Sequence, residues 1–279
     1  MTKIEQDLKK SWTLCPLIIT HLKKEVGLLR VCIGQTTDID IKNYPLKVID
    51  KLTTMLTTLW NVINIDKDFY VANVVIRSIA DNVALLFLIY DKDEGEIRIL
   101  RHYLFLLDGI RSRLANIIMP IKNDDVTEDE YQKLIKQQED FKSMLNDCKK
   151  NIIECITSLK IYNTNKLGID MLMKNKKGEE LYNWKFKTLN IVPSQINTEK
   201  NTYNWKSMYS EIKLPEKFFS SFLSDYVHGL SMSNITIAPD KQNMGTLVYI
   251  TKVLMERIEL FVRKYYAIEL KDIKKNTKQ

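Results

Sequence analysis

Residues 71–90 read VANVVIRSIADNVALLFLIY, an apolar run whose only charged residues are Arg77 and Asp81. A helix puts the two one turn apart on one face, together with Val74 and Leu85, and that face is expected to point inward. A guanidinium taken out of water is costly unless it is paired and hydrogen-bonded. A fold that accepts this run must therefore fix a charge pair inside it. Two roles are open for such a pair. It can be an internal ion pair that sets helix register, or a group that works on a substrate.

The rest of the chain favours helices. Only 8 glycines and 6 prolines appear in 279 residues, too few for the turns of an all-β fold. Pro16 suits a first helical position and Gly34 a stop, giving a helix over 16–33. Asn43 and Pro45 open a second, with Leu46, Ile49, Leu52, Leu56, Leu59 and Ile63 at helical period. Asp66 or Asp68 can cap the third, which carries Arg77. The fourth runs over 96–119 and ends before Pro120. Ile97, Leu100, Leu104, Leu107, Ile110 and Leu114 line one face of it, with Arg98, Arg101, Arg111 and Arg113 mostly off it. Thr127 and Glu130 form a capping box that starts a fifth helix, about 128–160, whose early part is polar enough to face water. Pro215 opens another helix, and a last one covers about 243–268. The expected fold is all-α, an antiparallel bundle of about five to seven helices in a single domain, 1–279. Its core helices span 16–160 and 215–268, and a basic tail over 270–279 is expected to fray. Between them, 163–214 lacks a long periodic run and reads as an irregular, Trp/Tyr-rich insertion. Within it YNWK (182–185) returns as YNWK (203–206), so Trp184 and Trp205 are expected either to anchor the segment on the core or to stack against bases.

The net charge of +7 comes from dispersed lysines and permits RNA or another acidic partner. Cys15, Cys32, Cys148 and Cys155 form no C-x-x-C, so free thiols are expected, with Cys148 and Cys155 sharing a helix face as small core residues. The polar first residues do not read as a signal peptide, and the window 82–90 is too short to span a bilayer, so a cytoplasmic protein is expected. No G-x-S-x-G, P-loop, G-x-G-x-x-G or H-E-x-x-H occurs, and neither a cofactor nor a metal site is expected. What remains as candidate chemistry is Arg77, Asp81, His102 and His228. An arginine and a histidine converging in a cleft could stabilise developing negative charge and move a proton at a phosphodiester.

Four segments carry a resemblance: RSIAD (77–81), LRHYLFLLDGI (100–110), NWK (204–206) and FLSDYVHG (222–229). They resemble a family of uncharacterised bacterial all-helical proteins. That family has an arginine followed four residues later by an acid on a core helix, and an S-x-x-x-H element near the C-terminus. Its kinship with HEPN-type domains implies a metal-independent RNase or toxin, defence-associated, often a homodimer. The HEPN pattern R-x(4–6)-H is not kept here: no histidine follows Arg77 on its helix, and Arg98 to His102 is R-x(3)-H. Only Arg77 and His228 carry over. The other expectation is a non-catalytic helical module that binds a protein or RNA partner.

Overall fold

The computed structural model describes residues 3–34, 36–37, 39–122, 125–224 and 241–276. Among these the fold is all-α, with two isolated β-bridges and no strand. The chain gathers into two compact units, Met1–Lys92 with Asn204–Gln279, and Asp93–Tyr203.

The first unit holds α1 (Lys3–Ile33), α2 (Asn43–Asn61) and α3 (Phe69–Leu86), which are followed later in the chain by α7 (Trp205–Glu211), α8 (Lys241–Tyr265) and α9 (Ala267–Asn276). α1 lies against α2, α8 and α9, while α3 lies against α2, α7 and α8. Buried residues recur at helical spacing on each: Leu22, Val26 and Leu29; Ile49, Leu52 and Leu56; Ile76, Ile79 and Val83; Leu254, Ile258 and Phe261. Asp68 is the cap of α3 and accepts from the Val71 N–H at 2.9 Å. A π-helical turn, Phe87–Asp91, prolongs α3. The stretch Phe69–Asp91 is thus a 23-residue helix, long and apolar enough to cross a membrane, and 56% of its most apolar window is buried inside the protein.

Three sequence expectations change in this unit. α1 starts at Lys3, so Pro16 lies inside the helix and not at its first position. The residues before it include good helix formers, and the burial of Ser11 and Cys15 holds the turn that the proline weakens. Residues 270–276 are helical, not frayed, and belong to α9. The face of α3 with Val74, Arg77, Asp81 and Leu85 is only half-buried; the fully enclosed side is Ala72, Ile76, Ile79, Ala80 and Val83.

The second unit packs α4 (Gly95–Ala115), α5 (Glu128–Ser158) and α6 (Lys160–Met173) on one another, with a segment over 174–203 that holds no α-helix, only two short 3-10 turns at Pro193–Gln195 and Glu199–Asn201. The Thr127–Glu130 capping box forms as expected. The Glu96 carboxylate caps α6 by accepting the Lys160 and Ile161 N–H groups at 3.1 and 2.8 Å, an anion at a positive helix end. α6 itself was unexpected: it occupies the start of the supposed irregular insertion. Its apolar residues Ile169, Leu172 and Met173 are diluted by Asn, Lys and Gly, yet all three are buried. α4 ends earlier than expected, at Ala115, where Asn116 leaves helical φ/ψ and its amide donates to Ser112 O at 2.7 Å. That early stop leaves Ile118 and Ile121 82% and 89% exposed. Cys148 and Cys155 sit half-exposed at the margin of the buried stripe Leu145, Ile152 and Ile156, not in the core.

Candidate functional site

Arg77, Asp81 and Tyr209 form one cluster, built by α3 and α7. Arg77 Nε donates to Asp81 Oδ2 at 3.2 Å and lies 3.0 Å from Oδ1. The Tyr209 hydroxyl donates to Asp81 Oδ1 in a short contact, and the Arg77 guanidinium lies over the Tyr209 ring, 5.1 Å from its centroid. Both carboxylate oxygens are thereby engaged, and the arginine is held from two sides. The Arg77 side chain is 12% exposed, and its Nη1 is enclosed without a hydrogen-bond partner.

Electrostatics in the cluster follow from burial. Desolvation raises the Asp81 pKa against the hydrogen bond from Tyr209 and the charge of Arg77, which both lower it. Burial likewise raises Tyr209, and the bond to Asp81 raises it further. The phenol therefore keeps its proton and Asp81 stays an acceptor already in use.

One and two turns along α3 a small cleft opens, lined by Ala84, Phe87, Leu88, Met208 and Ile212, with the Lys92–Glu211 ion pair (2.8 Å) at its rim. It holds about 70 Å³. Small-molecule sites run to roughly 300–1,000 Å³, so this one is too small to enclose a drug-sized ligand.

His102 is fully buried in the second unit, its ring 5.5 Å from that of Tyr103. His228 lies outside the described residues. Among the described residues no group of three metal-ligating side chains forms.

The fully enclosed arginine is Arg101, which the sequence placed mostly off the apolar face of its helix. Its Nε donates to Asp93 at 3.0 Å and its Nη2 to the same carboxylate in a short contact. Its Nη1 donates to the carbonyls of Trp184 and Phe186 at 2.7 and 2.8 Å, and the guanidinium stacks 4.1 Å from the Phe186 ring centroid. Burial lowers its pKa and Asp93 opposes that. Arg101 thus ties the segment around 184–186 to α4. Trp184 completes the tie, donating from Nε1 to Asp108 at 3.1 Å and meeting Phe105 edge-on. Trp184 is an anchor, as one of the two expectations had it. Its counterpart Trp205 instead opens α7 in the first unit and stacks on Tyr209. The available signal was the alternation Tyr182, Trp184, Phe186 against Asn183, Lys185, Lys187: the first three are buried and the second three are not.

No protein-family model, curated protein or solved structure matches the chain.

Proposed function

We propose that the protein is a non-catalytic helical module that binds a protein partner. The observation that carries the reading is the Arg77–Asp81–Tyr209 cluster: the residue with the best claim to chemistry has its charge spent on a carboxylate and a ring of its own fold. The adjoining cleft, about 70 Å³, is in keeping with this reading because it is too small for a drug-sized ligand. For the partner, the exposed Ile118 and Ile121 of the second unit supply apolar surface of the kind that interfaces use.

A second reading, a HEPN-like ribonuclease using Arg77 and His228, has one observation in its favour. Nη1 of Arg77 is a donor without a partner, and an anion could use it once the cluster that encloses it opens. A cleavage assay on total RNA separates the two, with wild type and His228→Ala compared and both melts recorded. The proposal expects intact RNA from folded wild type. Cleavage by wild type that His228→Ala abolishes at an unchanged melting temperature would establish the ribonuclease instead.

A further inference from the structure

The C-terminal helix α9 has no buried side chain. A ten-residue helix is marginal in water by itself, so its order has to come from what holds it. The polar part of that hold converges on one lysine. Lys42, just before α2, places Nζ 2.8 Å from Glu269 Oε1 on α9. The same ammonium lies 5.3 Å from the centroid of the Tyr265 ring and 6.0 Å from that of Tyr266. Both tyrosines are fixed in turn to the backbone beside Lys42: Tyr265 donates to Ile41 O and Tyr266 to Lys42 O, each at 2.8 Å. The lysine, 41% exposed, is therefore met on one side by two aromatic faces and one carboxylate, all from the α8–α9 corner.

Glu269 depends on this cation. Its side chain is 18% exposed, and its second oxygen, Oε2, is enclosed without a hydrogen-bond partner. Without the lysine a mostly desolvated carboxylate is left uncompensated, which favours moving it back to water. Moving it means moving α9, because Glu269 stands in the first turn of that helix. The Glu269 carbonyl also lies 4.0 Å from Cys32 Sγ on α1.

We propose that α9 is a detachable strap on α1 and that the charge of Lys42 is its catch. With the ammonium on Glu269 the strap is closed. With the charge removed, Glu269 turns to solvent and α9 lifts from α1.

Hydrogen exchange on the full chain tests this, with wild type compared with Lys42→Met, Lys42→Arg and Glu269→Gln. In Lys42→Met the amides of α9 are expected to exchange roughly tenfold faster, the equivalent of a lost charge-assisted contact. Lys42→Arg keeps the charge and the ring contacts and is expected to follow wild type. Core amides of α8 serve as the control for folding. If Lys42→Met loosens α8 as well, Glu269→Gln decides, since it leaves the lysine and both rings in place: faster exchange confined to α9 supports the catch. Unchanged α9 exchange in both Lys42→Met and Glu269→Gln would overturn it. So would a Lys42→Arg variant as loose as Lys42→Met, because shape and not charge would then hold the strap.

Discussion

Arg101 and Arg77 show how differently two arginines on apolar helices are used. Arg101 is closed over on every side, and four of its hydrogen bonds go to Asp93 and to two carbonyls of the segment it pins. Removing it strands a carboxylate and leaves both carbonyls without this donor. Arg101→Met is therefore expected to cost about 3–5 kcal/mol in urea unfolding. A cost below about 1 kcal/mol would show that the pin is dispensable. The sequence made Arg77 conspicuous, since it interrupts the most apolar run, and its pairing with Asp81 was legible from spacing alone. It did not reveal Arg101, because only Asp93 lies nearby in sequence and the groups that complete the enclosure, two backbone carbonyls and the Phe186 ring, lie more than eighty residues away. Tyr209 escaped notice for the same reason: it reaches Asp81 across 128 positions.

At the scale of elements, α3 and α5 were readable because caps and period agreed, at Asp68 and at Thr127, and α2 was readable from period alone, since its N-cap residue makes no capping side-chain bond. α6 was not, since its 14 residues carry Asn163, Asn165 and Gly168, kink at Asn165 where the backbone leaves helical φ/ψ, and with such weak local preference form by packing. Gly168 shows that packing directly: a Cβ built there would lie 2.9 Å from the Cδ1 of the buried Ile196. Helix propensity favours alanine at this position, while the contact opposes it. Gly168→Ala is expected to lower stability by about 1 kcal/mol, and the loss should shrink when Ile196→Val removes the clashing methyl. Additive losses in the double variant would place the strain elsewhere. The exposed turn after α4 has a different status. Ile118→Ser with Ile121→Ser is expected to leave melting within about 0.5 kcal/mol of wild type, as for surface positions generally. A larger loss would mean these side chains serve the fold and are not free to meet a partner.

Across the whole molecule, the buried groups among the described residues whose pKa is shifted by burial are mostly tyrosines. Burial raises the pKa of Tyr90, Tyr182, Tyr209 and Tyr266 above the ordinary value of 10.0, and raises the Cys15 thiol to about 11. Each group binds its proton more tightly folded than unfolded. The stability it contributes is thus complete below its unfolded pKa and is lost as pH rises toward the folded value. Cooperative unfolding is expected above about pH 10, with tyrosinate absorbance at 295 nm rising in step with the loss of helical circular dichroism. Complete phenol titration near pH 10 with the helices intact would contradict the burial described. The functional reading rests on a narrower point, that Arg77 is kept for the fold. A double-mutant cycle in urea on Arg77→Ala and Asp81→Asn tests it most directly. The prediction is a loss of about 1–3 kcal/mol for Arg77→Ala, most of which disappears once Asp81 is already Asn. An Arg77→Ala protein as stable as wild type, with no coupling to position 81, would contradict the structural role and return Arg77 to the chemistry of a substrate.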